Sequence, residues 1–311
     1  MQVSERRIVV LGCGGTIAGR AASASDNLGY RAGELGVEEL IAHVPVPEGS
    51  TLAAEQVANI DSKDLGLAQW CALSQRCAHW LAQTEVAGIV ITHGTDTLEE
   101  TAFFLHAVLA PVKPVVLTGA MRPATSAAAD GPQNIADALS VAASPLAQGV
   151  CVVLAGTVHG AIEVQKVHSY RADAFGSGDA GPLAYVEEGR LRVLRAWPQG
   201  PALRSAGSLP DPDAWPRVEI VMSHAGAGSA LVRALVKDGV AGIVVAATGN
   251  GTVHEALEGA LLAAQEQGVA VRRASRCAQG RVLPQPGDRL PGADGLSPVK
   301  ARIALMLELM Q

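Results

Sequence analysis

Aromatic side chains are scarce: three Phe, three Tyr and four Trp in 311 residues. Basic residues are outnumbered, 24 Lys and Arg against 30 Asp and Glu, for a net charge of −6. No block of basic residues alternates with aromatics. A nucleic-acid surface needs a basic stripe or a stacking platform, so no nucleic-acid partner is expected. No apolar run is long enough to span a bilayer, and no membrane partner is expected either. Cys13, Cys71, Cys77, Cys151 and Cys277 are odd in number, scattered and free of C-x-x-C spacing. They suggest neither a disulfide framework nor a zinc site. His93, His106, His168 and His224 share no helical spacing and no carboxylate motif; they read as structural or surface residues, and no metal site is expected. Val10-Leu11-Gly12-Cys13 looks faintly like a lipoprotein cleavage site. The apolar stretch before it, Ile8 to Leu11, is too short for a signal h-region. A cytoplasmic, unprocessed chain is the expectation.

Glycine, by contrast, is abundant (34 residues), and 49% of the chain is hydrophobic. That composition suits an α/β protein with many tight strand–helix turns, and the length easily buries a core. Arg6 to Leu11 reads as a short strand followed by the turn Gly12-Cys13-Gly14-Gly15-Thr16-Ile17-Ala18-Gly19. A dinucleotide site would show G-x-G-x-x-G opening into a helix. Here Ile17 replaces the third glycine and a small, polar run, 20–27, follows, so nucleotide binding is discounted. Glycines flanking a threonine clear space around a hydroxyl and let backbone N–H groups approach a ligand. The polar run suits a lid that delivers Tyr30 onto Thr16, although Tyr30 equally fits a surface loop.

Further along, Val37 to Val44 reads as a short helix, and 58–65 as a turn into a helix running to about Gln83, with Ser62 near its N-cap. Val86 to Thr92 is a buried strand. It leads into His93-Gly94-Thr95-Asp96-Thr97-Leu98-Glu99-Glu100-Thr101 and a helix. That turn is either a plain cap, with Thr95 or Asp96 as N-cap and Glu99 closing a capping box, or part of a ligand crevice at the carboxyl ends of parallel strands. Strands at 114–120 and 149–155 flank a helix from Asp130 to Ala143, and the pattern is irregular from Gly156 to Leu183. A Pro/Gly/Ser-rich segment then has linker composition. After it, strands at 217–222, 241–247 and 269–271 alternate with helices at 227–237, 253–267 and 298–310. The expected architecture is α/β. A larger N-terminal domain (1–196) with a mainly parallel sheet flanked by helices carries both threonine turns. A linker (197–216) and a smaller C-terminal α/β domain (217–311) follow.

A threonine hydroxyl is a poor nucleophile until something takes its proton. A lysine beside it can do so, as in Ser–Lys variants of the hydrolytic triad. Lys166 fits that role if Asp96 orients it and it reaches Thr95. Its bland alternative is a solvated lysine.

Gly14-Gly15-Thr16-Ile17-Ala18-Gly19 and His93 through Thr101 resemble the two signature motifs of the bacterial-type L-asparaginases. The resemblance continues through Asn59-Ile60-Asp61-Ser62, Gly119-Ala120-Met121-Arg122-Pro123, Ala129-Asp130-Gly131-Pro132, Gly249-Asn250-Gly251, Arg276 and Pro298-Val299-Lys300-Ala301-Arg302. It therefore spans nearly the whole chain. It implies hydrolysis of L-asparagine to L-aspartate and ammonia, with no metal or organic cofactor. By resemblance Thr16 is the primary nucleophile with Tyr30 as its partner, and Thr95, Lys166 and Asp96 form a second triad. Ser62 faces the substrate α-carboxylate and Asp96 its α-ammonium; Gly94 and Thr95 offer backbone contacts, and Ala120 lines the amide pocket. The resemblance also implies a homotetramer built from dimers.

Three positions depart from the family pattern. Lys63 stands where glutamine is common, and Thr252 where asparagine often follows Gly-Asn-Gly. No glutamate lies between Gln279 and Asp288 to serve as the carboxylate a neighbouring subunit often lends; Gln285 and Asp288 are the candidates there. Asparagine is expected to be preferred over glutamine. The rival readings are a glutaminase-asparaginase of broader specificity, an asparaginase-like subunit of a tRNA-dependent amidotransferase, and a non-catalytic asparagine-sensing module. The acidic balance disfavours the tRNA reading. The presence of Thr16, Thr95, Asp96 and Lys166 together disfavours the sensor.

Overall fold

Strands covered on both faces read as unbroken apolar runs, and every residue of Val86–Thr92 is enclosed in the computed structural model, which describes residues 6–198 and 200–310. The described residues fall into two compact units that divide between Ser208 and Leu209. In the first, Arg6–Gly14 (β1), Ser50–Ile60 (β2), Val86–Thr92 (β3), Val115–Thr118 (β4), Val150–Leu154 (β5), Thr157–Gly160 (β6), Ala184–Glu187 (β7) and Arg190–Val193 (β8) form one sheet. Its order is β8-β7-β6-β5-β4-β3-β1-β2. The strands from β2 to β5 run parallel, and β6, β7 and β8 add on antiparallel. The chain leaves β1 in one direction to make β2, then crosses back to make β3. That reversal opens a crevice beyond the carboxyl ends of β1 and β3, where open α/β sheets bind ligands.

Helices Val37–Ile41 (α1), Leu67–Leu81 (α2), Leu98–Leu109 (α3) and Gly131–Ala143 (α4) cover the sheet. Ile8, Val10, Val90, Val116 and Val153 share one core with Ile135, Ala138 and Leu139 of α4. Alternate residues along a strand face opposite sides, and Val9, Leu11, Ile89 and Ile91 are equally buried. Each such side chain contributes about 1.5–3 kcal/mol on burial. Trp70 of α2 stacks on Phe104 of α3 with ring centroids 4.8 Å apart.

In the second unit Val218–Met222 (β9), Gly242–Ala247 (β10) and Ala270–Ser275 (β11) form a parallel sheet with β10 central. Ala230–Lys237 (α5), Glu255–Glu266 (α6) and Pro298–Leu309 (α7) accompany it. Ile243 and Val245 pack with Val232, Leu257 and Leu261. Both units are α/β, and the larger carries the mainly parallel sheet.

The structure departs from the sequence pattern in several places. Residues 58–60 close the strand β2 rather than open a turn. This edge strand is half-buried, so its sequence lacks both the continuous apolar run and a clean alternation. Glu55 on it accepts from Arg76 Nε (2.6 Å) and Nη2 (2.9 Å) and from Trp80 Nε1 (2.8 Å), and the guanidinium holds its carboxyl below the usual range. The region from 156 that reads as irregular contains β6, with β7 and β8 just beyond it. The two-residue turns Ala155-Gly156 (φ 48° and 70°) and Glu188-Gly189 (φ 48° and 70°) reverse the chain with positive φ at both positions. Such hairpins usually advertise themselves as Asn-Gly or Asp-Gly; alanine and glutamate hide these. The stretch with linker composition begins on the first unit, where Leu203 N–H donates to Ala107 O at 2.8 Å and Ala206 is buried.

Candidate active site

Glycine lets three strand ends converge. Gly14 and Gly15 close β1 at φ of +88° and +85°, where a Cβ is costly. Gly15 N–H donates to Ile60 O, the end of β2, at 2.9 Å. A Cβ on Gly15 would run into the Gly94 backbone, and one on Gly94 would lie 2.5 Å from Ser62 Oγ. The residues just before Thr16 and Thr95 are therefore in backbone contact, with Ser62 against them.

The polar run after Thr16 folds back, because Arg20–Ala21 pairs antiparallel with Tyr30–Arg31. That hairpin sets the Tyr30 hydroxyl 2.7 Å from Thr16 Oγ1. Its outer part is tied to the loop after β4. Ala124 N–H donates to Gly19 O (3.0 Å) and Ala127 N–H to Ala24 O (2.9 Å). Ala21 N–H donates to Thr125 Oγ1 (2.9 Å), and Ser126 Oγ donates to Asn27 Oδ1 (2.6 Å).

Beyond β3, Thr95 is buried and Asp96 is open, its side chain 56% exposed. Lys166 reaches both: Nζ donates to Thr95 Oγ1 at 2.9 Å and to Asp96 Oδ1 at 2.7 Å. A two-residue ladder, Gln165–Lys166 against Phe175–Gly176, carries the lysine there. Its side chain is 18% exposed, so it is not a solvated lysine. The capping-box alternative for this turn fails. Thr97 is the N-cap of α3 and makes no side-chain cap; its hydroxyl donates to Ser62 O at 2.9 Å. Glu99 instead accepts from Lys166 N at 3.3 Å.

Ser62 is not the N-cap of its turn; Asp61 is, accepting from Lys63 N. Ser62 Oγ accepts from Asp96 N–H at 3.2 Å, which leaves the hydroxyl proton free to be given elsewhere. Lys63 is paired with Asp64 and, at 3.5 Å, with Asp61, so its charge is met inside its own turn. Ala120 is fully enclosed within the same core cluster as Ile17 and Ala138. Met121 N and Arg122 N each donate to Asp130 at 2.9 Å, bracing the loop after β4. In the second unit Asp288 accepts from Gln285 N (2.9 Å) and Arg273 Nη2 (2.7 Å), and these hold its carboxyl below the usual range.

His93 is more than filler. It is wholly buried, and its Nδ1 lies 2.7 Å from Gly94 O and its Nε2 3.0 Å from Thr101 Oγ1. Thr101 Oγ1 also accepts from Trp70 Nε1 at 2.9 Å. Burial pushes the His93 imidazole down to about 4, and that of His159, whose Nδ1 meets Ser177 Oγ at 2.8 Å, also to about 4. An unfolded histidine titrates near 6.5, so between these values the unfolded chain binds more protons and stability rises with pH. The contribution is complete above pH 6.5, falls as pH drops toward 4, and amounts to about 3 kcal/mol per histidine. Nitrogen-15 ring spectra are expected to show both rings neutral at pH 5; protonation of either near pH 6.5 would contradict it. Among the described residues no cluster of three or more His, Cys, Asp or Glu is arranged to hold a metal.

Residues 7–199 match the family model described as Asparaginase, N-terminal, and residues 217–311 match the Glutaminase/Asparaginase C-terminal domain. L-asparaginase 2 of Escherichia coli K12 is 38% identical, with 98% of this chain and 89% of that protein covered. The glutaminase-asparaginase of Pseudomonas fluorescens biotype A is 37% identical over 97% of this chain and 86% of its own. The crystal structure of a probable cytoplasmic L-asparaginase from Campylobacter jejuni superimposes with a TM-score of 0.92 at 37% identity, covering 98% of this chain and 95% of that one. Fold and comparisons together define an α/β amidohydrolase. The chain belongs to the bacterial-type L-asparaginase family.

Proposed function

We propose that this chain hydrolyses L-asparagine to L-aspartate and ammonia with the two threonines as its working groups. The observation that carries the reading is Lys166 Nζ held at once by Thr95 Oγ1 and Asp96 Oδ1. In this reading Thr16 Oγ attacks the side-chain amide carbon, and the Tyr30 hydroxyl, at 2.7 Å, relays the proton: it takes that of Thr16 as it gives its own to the departing amide nitrogen. The negative charge that develops on the amide oxygen needs fixed N–H donors. The amide nitrogen takes a proton and leaves as ammonia, and water then cleaves the ester to restore the Thr16 hydroxyl. Thr95, whose hydroxyl oxygen is fixed by Lys166 Nζ, positions that water. A zwitterionic substrate needs one partner for each charge: Ser62 gives its free hydroxyl proton to the α-carboxylate, and the open carboxylate of Asp96 takes the α-ammonium.

The substrate range includes L-glutamine at a lower rate, a reading favoured by the similarity to a glutaminase-asparaginase. A homotetramer in the cytoplasm completes the proposal. Four buried free thiols suit a reducing compartment, and among the described residues no helix is long and apolar enough to cross a membrane. The test is ammonia release from both amides in the presence of a chelator, measured across a size-exclusion profile. Asparagine turnover in the tetramer peak, exceeding glutamine turnover, is the expected result. A folded chain that releases ammonia from neither amide overturns the reading.

A further inference from the structure

A donor with nothing to bind sits in the middle of the site. Thr95 N–H has no hydrogen-bond partner among the described residues, although the residue is 95% buried. Buried N–H groups are almost always paired, so this one is reserved for a ligand or is held in place at a cost. Its direction is set by the peptide that carries it. A trans peptide keeps its C=O and N–H antiparallel, so whatever holds the Gly94 oxygen also aims the Thr95 N–H to the opposite side.

What holds the Gly94 oxygen is a chain of hydrogen bonds with only one consistent direction. The Trp70 indole can only donate, so Thr101 Oγ1 accepts from it at 2.9 Å. At the other end the Gly94 carbonyl can only accept, so His93 Nδ1 carries the ring proton and donates to it at 2.7 Å. A neutral imidazole has one donor and one acceptor; Nε2 is therefore the acceptor, and the Thr101 hydroxyl gives it its proton at 3.0 Å. Trp70, Thr101 and His93 are all buried, so water does not compete. In the opposite tautomer two lone pairs would face each other across that 2.7 Å gap, and the Gly94–Thr95 peptide would have to turn.

We infer that Thr101 and His93 are positioning residues, which through the Trp70–Thr101–His93–Gly94 chain fix the histidine tautomer and hold the Thr95 N–H toward the substrate amide oxygen. The inference rests on the amide-hydrolysis reading of the same site. It gives the invariant direction of the chain a purpose: a fixed donor aimed at the atom where charge develops needs no reorganisation during the reaction. The depressed basicity of His93 keeps the ring neutral through the working range.

The test pairs kinetics with a spectrum. Thr101→Val removes the hydroxyl at constant shape, and Thr101→Ser keeps it. The valine variant is expected to lower kcat for L-asparagine by about 10- to 100-fold with KM within about twofold, less than the loss from deleting an oxyanion donor outright. The serine variant restores kcat to within about threefold of wild type. Independently, nitrogen-15 spectra of the wild-type protein should place the His93 proton on Nδ1, a readout that needs no activity and no variant. A proton on Nε2, or a folded valine variant with wild-type kcat, overturns the inference while leaving asparagine hydrolysis standing. If the valine variant does not fold, the wild-type tautomer decides. A wild-type protein that releases no ammonia strikes the functional reading instead.

Discussion

Thr16→Ala and Thr95→Val each lower kcat for L-asparagine by about a thousandfold or more, the scale seen when one member of a nucleophile–base unit is removed. The two losses arise differently. Thr16→Ala deletes the attacking oxygen and leaves the Tyr30 hydroxyl without its 2.7 Å partner. Thr95→Val keeps the volume of a side chain that is 5% exposed and packs close to Gly119. The fold is therefore expected to survive, and Lys166 keeps Asp96 while losing the Thr95 oxygen. Because Ser62 and Asp96 still meet the substrate charges, KM should move by less than about fivefold in both variants, so the loss lies in the transition state. Steady-state ammonia assays with thermal melts as the folding control make the measurement. Retention of more than a tenth of wild-type kcat by either variant would refute the two-threonine mechanism.

Gly15→Ala is expected to be the most damaging single methyl in the molecule. It combines two costs. Left-handed backbone at φ +85° disfavours alanine by about 1 kcal/mol. The new Cβ also points into the backbone of Gly94 and the carbonyl carbon of His93, neither of which has a rotamer to yield. Overpacking against rigid backbone adds about 1–3 kcal/mol, for a total of about 2–4 kcal/mol with loss of most activity, since both threonine turns must separate. Gly226→Ala is the control. Its φ of +75° carries the same backbone cost with nothing within 4 Å of the new methyl, so it should lose about 1 kcal/mol and keep its kcat. Urea unfolding of the two variants separates strain from collision; equal losses would show that the Gly15–Gly94 contact is not tight.

The α/β class and the main buried strands were legible because two-sided burial leaves an unmistakable apolar run, as in Val86–Thr92 and Val150–Leu154. Edge strand β2 was not, since half-exposed positions tolerate Glu55, Gln56 and Asn59 without a pattern. Hairpins β5–β6 and β7–β8 were missed because their turns use Ala155 and Glu188 where the usual residues would be asparagine or aspartate. Among the site residues, Thr16 and Thr95 announced themselves by position after strands. Lys166 did not, because nothing local distinguishes it from a solvated lysine. Nothing local marks His93 and Thr101 as more than structural residues; the signal lies in a tryptophan thirty-one residues from the threonine it bonds.

Composition and the order of apolar runs suffice to set the α/β class and to place two threonines on strand-to-helix turns. Those are local facts, set by side-chain type and period. That the two turns meet through Gly15 and Gly94, and that Lys166 crosses seventy-one residues to reach Thr95, depend on how the strands pair in three dimensions. Sheet pairing brings together residues far apart in the chain, and no short window of sequence carries the register that decides which of them touch.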